Sequence, residues 1–172
     1  MVGTEALLAS RVFDVERLDL EVDGTPFSRE VVRHRGAVAV LAYDGTSVIL
    51  VRQWRAPLGG AIVEVPAGTR DVDGESPEAT AARELEEEAG LRAGRLEPLC
   101  ELWNSPGWSD QRTLVFLATE LTTVARRPSG PEEEAIELVR LPLDDAVAAL
   151  STATWDATTA VALYALASRR RP

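Results

Sequence analysis

The chain has 172 residues, enough for one main unit with its own core and too few for a second full domain. Apolar residues make up 45% of it and no low-complexity block interrupts them, which excludes a disordered chain. A formal charge of −10 excludes a surface that tracks nucleic-acid phosphates, so an anionic ligand needs cations recruited to it locally.

The stretch Met1 to Arg11 has neither the basic start nor the apolar run of a signal peptide, and no later segment reaches the roughly 20 apolar residues of a membrane span, so a cytoplasmic setting away from membranes is expected. Cys100 is the only cysteine and His34 the only histidine, which excludes an internal disulfide and a zinc site built from several cysteines or histidines. A Ser–His–Asp triad would depend on one histidine in a strand-like run, so carboxylates are left to carry most of any chemistry.

Taken in chain order, Arg11 to Arg33 reads as two short strands, with Val12, Val15, Leu18, Leu20 and Val22 interrupted by the turn dipeptide Asp23-Gly24. Ala37–Tyr43 and Ser47–Val51 form a hairpin across Asp44-Gly45, a pair that supplies the positive φ angles of a tight turn. A strand over Ala61–Val65 runs into Pro66-Ala67-Gly68 and a polar loop, Thr69 to Glu75. Ser76 then offers an N-cap, Pro77 suits the first helical position, and the helix extends to about Ala89 with Gly90 as its C-terminal stop; Ala82, Leu85 and Ala89 are its expected apolar face. Leu96–Leu102 and Thr113–Ala118 are strands flanking a loop at Ser105-Pro106-Gly107. A Pro/Gly/Glu loop, Arg126 to Glu134, precedes a strand over Ile136–Leu141 and helical segments over Leu143–Leu150 and Asp156–Ser168, with Arg169 to Arg171 as a solvated tail. Strands and helices mixed in this order indicate an α/β or α+β sandwich.

The helix carries the informative pattern, Arg83-Glu84-Leu85-Glu86-Glu87-Glu88-Ala89-Gly90-Leu91. Glu84 and Glu88 stand four residues apart and Glu84 and Glu87 three apart, so three carboxylates share one side and repel one another. A Glu-rich helix taken alone also reads as a solvated acidic face. Divalent cations would relieve the repulsion, and ligands that are all oxygen suit magnesium or manganese.

In context the pattern resembles the box of the Nudix hydrolase family: Gly, five residues, Glu, seven residues, then Arg-Glu-aliphatic-any-Glu-Glu-any-Gly-aliphatic. Gly68, Glu75, Arg83, Glu84, Leu85, Glu87, Glu88, Gly90 and Leu91 match, with one extra residue between Gly68 and Glu75 where a loop absorbs it. The resemblance implies a Nudix α/β/α sandwich with a mixed sheet. It also implies a strand–loop–helix in which Glu84, Glu87 and Glu88 bind Mg2+, or Mn2+ in its place, together with a backbone carbonyl near Ala67, while Arg83 orients a box glutamate.

Outside the box, Val51-Arg52-Gln53-Trp54-Arg55, Glu64-Val65-Pro66-Ala67-Gly68 and Ser105-Pro106-Gly107-Trp108-Ser109 resemble the family's ADP-ribose pyrophosphatase branch, with Pro106 fifteen residues after Leu91. By that resemblance Arg55 contacts a substrate phosphate, Arg29 is a second candidate, and Pro106-Gly107 shapes the pocket of the terminal ribose. Trp108 is the aromatic singled out for stacking on a nucleobase. A glutamate in a late loop acts as general base or completes the metal shell; Glu134 aligns best, with Glu132 and Glu133 as alternates. Residues 1–36, too small for a core of their own, are expected to be a dimer-forming β-element and residues 37–172 the catalytic domain of a homodimer. The expected reaction is hydrolysis of ADP-ribose to AMP and ribose 5-phosphate. GDP-mannose, a dinucleoside polyphosphate or an oxidised nucleoside triphosphate are alternative substrates, and a non-catalytic nucleotide-binding module or a purely structural protein are alternatives of another class.

Overall fold

The computed structural model describes residues 1–128 and 130–170; the side chain of Glu132 lies outside the description. It opens with a three-stranded antiparallel meander, β1 (Gly3–Ala9), β2 (Phe13–Val22) and β3 (Thr25–His34). The Asp23-Gly24 turn falls where the sequence places it, with both residues at positive φ. The first strand, GTEALLA, was not expected: six of its seven residues are exposed, so no face had to be apolar. None of residues 1–37 is buried, so the meander has no core of its own. It is tied to the rest through β3, where Val32 N–H donates to the Trp108 carbonyl (2.8 Å) and Asp110 N–H to that of Val32 (3.1 Å).

The larger sheet contains β4 (Ala37–Tyr43), β5 (Ser47–Arg55), β6 (Gly60–Glu64), β7 (Ala67–Thr69), β8 (Leu91–Trp103), β9 (Arg112–Thr123) and β10 (Glu137–Pro142). Its path runs β10-β5-β4-β9-β8, with β6 against β5 and β7 against β4; the β4–β9 pair is parallel and the rest antiparallel, so the sheet is mixed. The β4–β5 hairpin turns at Asp44, whose side chain accepts from the N–H groups of Thr46 and Ser47. A single 3-10 turn over Ala56–Leu58 links β5 to β6. Strands β8 and β9 are both longer than their apolar runs suggest; β8 contains Gly94 and Pro98 and shifts register between Pro98 and Cys100, irregularities that hide a strand from pattern reading. Ala67–Thr69, whose last residue was expected to open the polar loop, pairs with Ala37, Val38 and Ala39 and is a strand of its own.

Four helices cover this sheet: α1 (Pro77–Ala89), α2 (Pro131–Glu134), α3 (Leu143–Ala149) and α4 (Ala157–Arg169). The alternation of β4 decides the layers. Val38, Val40 and Ala42 face α1 with Phe116 and Ala118, whereas Ala39, Leu41 and Tyr43 face the other side with Leu143, Ala162, Leu163 and Leu166 of α3 and α4. The result is the expected α/β/α sandwich, with the buried strands sealed on both faces. No helix among the described residues is long and apolar enough to cross a membrane.

Both ends of α1 form as the sequence signals them. The Ser76 hydroxyl accepts from Ala79 N–H (3.2 Å), and Gly90 adopts φ +62°, its N–H meeting the carbonyls of Leu85 and Glu86. Its apolar face needs one correction: Ala82 is exposed and Ala81 is fully buried, so the stripe is Ala81, Leu85 and Ala89 at four-residue steps. A second stripe at the same step, Thr80, Glu84 and Glu88, runs beside it and is also buried. An element placed by its apolar residues thereby carries two carboxylates inward with them.

Candidate active site

The buried polar stripe of α1 lies under β7, and the contact there is close enough to dictate sequence. A Cβ built on Gly68 would stand 2.1 Å from the carboxyl carbon of Glu84, so the glycine leaves the space that this carboxylate occupies, and a side chain there would displace it. One residue earlier, Ala67 N–H donates to Glu88 Oε2 at 3.0 Å. Glu84 and Glu88 are 7% and 5% exposed.

Arg83 organises the exposed side of the same group. Its Nε and Nη2 donate to the two oxygens of Glu75, both at 3.2 Å, while Nη1 donates to Glu84 Oε1 at 2.8 Å and Glu87 Oε2 at 3.0 Å. Glu75, in the loop ahead of α1, thus holds Arg83 from behind in a two-point contact, leaving its front for two box glutamates. The guanidinium pulls the Glu75 carboxyl below its usual range, and in return the Arg83 pKa is raised.

These residues line a cleft of about 590 Å³ between β5, β7, α1 and α2. Gln53 and Arg55, alternate residues of β5, project into it from the opposite wall. Arg55 Nε donates to Glu64 Oε1 at 2.8 Å, and burial pushes the Glu64 carboxyl up against the pull of that arginine. The Gln53 amide nitrogen is buried there without a hydrogen-bond partner. Arg11, from the β1–β2 turn, reaches the rim, and Glu133 of α2 closes the far side.

Of the residues singled out in the sequence, Ala67, Arg83, Glu84, Glu87, Glu88 and Arg55 meet in this cleft. Glu134 does not line it: it is exposed, and the short α2 turn directs its neighbour Glu133 inward instead. Arg29 is exposed on β3 with its guanidinium over the Phe27 ring, at 4.9 Å from the centroid, and is not among the lining residues. Pro106, Gly107 and Trp108 also stay outside, because their loop folds back on itself through Ser105 and docks on β3. Arg11 and Gln53 were missed as site residues, whereas Glu133 had been held as an alternate to Glu134. Gln53 had a signal, being a buried-side polar residue at the two-residue step from Arg55; Arg11, in an exposed turn, had none.

The electrostatics call for cations. The cleft is lined by five acidic residues, Asp71, Glu84, Glu87, Glu88 and Glu133, against three arginines, Arg11, Arg55 and Arg83. Burial pushes Glu88 up to about 8 despite the Ala67 N–H, and pushes Glu84 up to about 7 despite Arg83. As placed, no group of three or more His, Cys, Asp or Glu side chains among the described residues is arranged to hold a metal ion: Arg83 draws Glu84 and Glu87 together while Glu88 turns to Ala67. The donors nonetheless fit a hard cation, since each of the three bonds through only one carboxylate oxygen, leaving the other available.

A strand–loop–helix that packs glutamates under a glycine and clamps them with an arginine defines an acid-lined hydrolase-type cleft, and comparison with known proteins agrees. The NUDIX domain family matches residues 32–163, and the chain belongs to that family. It is 40% identical to the ADP-ribose pyrophosphatase of Bacillus subtilis (strain 168) over 96% of this chain and 90% of that one. It is also 38% identical to the methanol dehydrogenase activator of Bacillus methanolicus, over 85% and 80%. The solved structure of an ADP compounds hydrolase superposes with a TM-score of 0.86 at 26% identity, covering 98% of this chain and 91% of the other.

The raised carboxyls have a measurable consequence. Between the ordinary glutamate value of 4.5 and about 8, Glu88 binds more proton in the folded than in the unfolded chain, so its contribution to stability is full below that window and is lost as pH rises through it. Thermal melts of protein stripped of divalent ions should show Glu88→Gln losing less stability than the native chain between about pH 5 and about pH 8, because an amide keeps the Ala67 contact without ionising. Identical slopes for the two proteins would contradict this placement of Glu88.

Proposed function

We propose that this protein hydrolyses the pyrophosphate bond of ADP-ribose, releasing AMP and ribose 5-phosphate, with magnesium as its ion and manganese as a substitute. The observation that carries the reading is the excess of carboxylates around buried Glu84 and Glu88 in a cleft that also presents Arg11 and Arg55. A diphosphate brought there alone would be repelled, whereas one accompanied by divalent cations is bound. The likeness to the B. subtilis ADP-ribose pyrophosphatase supports the choice of substrate within the class.

Glu84, Glu87 and Glu88, with a backbone oxygen at Ala67, hold the ions. The chemistry such ions supply is neutralisation of the diphosphate and acidification of water. The protein's own groups do the rest. Arg83 keeps Glu84 and Glu87 turned together from its seat on Glu75. Arg11 and Arg55 face the phosphates, the latter preset by Glu64, a geometry that favours charge-assisted hydrogen bonds. Glu133 accepts a proton from water as its oxygen attacks phosphorus; the P–O bond to the bridging oxygen breaks and the leaving phosphate carries that electron pair away. Because Glu133 lines the cleft and Glu134 does not, we assign the base to Glu133.

The direct test is AMP release from ADP-ribose in the presence of magnesium, with GDP-mannose and 8-oxo-dGTP alongside. The native chain should turn over ADP-ribose, Glu88→Gln should abolish turnover, and Glu133→Gln should lower kcat by about 10²-fold or more while Glu134→Gln stays near native. Turnover of GDP-mannose or 8-oxo-dGTP alone would keep the chemistry and reject the substrate; no turnover of any, with nucleotide still bound, would favour a binding module.

We further propose that residues 1–36 form the contact of a homodimer and residues 37–172 the catalytic unit. Leu7, Leu8, Val12 and Phe13 of the meander are each at least 40% exposed on a sheet without a core, and a second copy would cover them. Light scattering behind size exclusion should give twice the 18.6 kDa chain mass, and Phe13→Asp should shift it to a monomer; a native chain that elutes as a monomer would remove the proposal.

A further inference from the structure

Arg126 lies just past the end of β9 and is not among the residues lining the cleft, yet its guanidinium joins the two elements that bring the acids together. Its Nη2 donates to the Glu133 carbonyl at 2.6 Å, its Nη1 to the Ile136 carbonyl at 3.1 Å, and its Nε to the Glu87 carbonyl at 3.4 Å. The stem of the side chain passes over Gly90, where a Cβ would stand 2.7 Å from Arg126 Cγ. Gly90 therefore serves twice, as the left-handed cap of α1 and as the gap through which Arg126 reaches across.

Closing the end of α1 does not explain the arrangement. Gly90 N–H already satisfies the Leu85 and Glu86 carbonyls, and two of the three Arg126 bonds go to the segment around α2. That segment needs an external hold: α2 is four residues long, has no side-chain N-cap, and is far below the length at which a helix is stable by itself. Its C-terminal flank is anchored by the buried side chain of Ile136, and Arg126 supplies the tie to α1. The fork shape of a guanidinium suits this task, because it meets several carbonyls at once from a planar frame where an ammonium meets them from a point.

We propose that Arg126 is a positioning residue: it fixes the Glu133 backbone to the α1 turn carrying Glu87 and Glu88, and so sets the place of the base relative to the acids that gather around the diphosphate. This rests on the assignment of Glu133 as base. It assigns a role in the reaction to a residue with no contact to substrate, and it separates α2 from an ordinary mobile loop.

The experiment is a double-mutant cycle on ADP-ribose hydrolysis with Arg126→Ala, Glu133→Gln and the two combined, with Arg126→Lys as the milder companion. If Arg126 acts through Glu133, Arg126→Ala lowers kcat by about tenfold or more with KM within about threefold of native, and it adds almost nothing once Glu133 is Gln. Arg126→Lys, which keeps the charge but loses the fork, falls between the two. Thermal midpoints accompany each variant, and if Arg126→Ala does not fold, the cycle is read with Arg126→Lys. Full losses that multiply in the double variant would overturn the positioning role while leaving Glu133 as base, since an independent structural effect is additive in free energy. Native activity in Glu133→Gln would overturn both the base and the role.

Discussion

The packing of α1 against β7 is the contact on which the rest of the site depends. Helix and strand meet at Ala67 and Gly68, and the space left by the missing side chain of Gly68 is filled by the carboxyl of Glu84. With Ala81, Leu85 and Ala89 fixed against the sheet by burial, the neighbouring stripe has no freedom to turn outward. Two acids are therefore held inside the protein by the hydrophobic burial of residues beside them, at sites where neither would go for its own sake. Burial raises both carboxyls accordingly, and a divalent cation bound there would relieve that cost.

Around this contact the charges are layered. Glu75 holds Arg83, Arg83 holds Glu84 and Glu87, and Ala67 holds Glu88, so each of these three cleft-lining acids has one oxygen engaged by the protein. The opposite wall repeats the device with the signs exchanged, Glu64 holding Arg55. Such second contacts fix side-chain direction before any ligand arrives, which lowers the reorganisation the reaction needs.

How far the sequence revealed this depended on whether position or chemistry was being read. The helix α1 was legible end to end because Ser76, Pro77 and Gly90 are strong local signals, and the β4–β5 hairpin because Asp44-Gly45 is another. The acids of the box were legible through the resemblance to the Nudix box, since their helical spacing alone also fits a solvated acidic face. What was hidden depended on long-range contacts. β1 lacks an apolar face and β7 is three residues long, so both needed their partners to be recognised as strands. The choice between Glu133 and Glu134 turns on the rotation of a single helical turn, which three identical residues in a row cannot disclose. Arg11 and Arg126 come from an exposed turn and an irregular stretch, and only the folded chain brings them to the cleft and to its supports. Ala82 was misplaced because alanine is at home on either side of a helix.

The most direct measurement is the rate of ADP-ribose hydrolysis by Gly68→Ala. The atoms a new Cβ would strike belong to the end of the Glu84 side chain, which is able to move, so the fold should survive while the acid is displaced. The expected result is a thermal midpoint near native together with a kcat lowered by about 10²-fold, the scale on which a shift of one ångström in a reacting group is felt. A Gly68→Ala protein that hydrolyses ADP-ribose at close to the native rate would show that the packing of Glu84 under this strand does not set the chemistry.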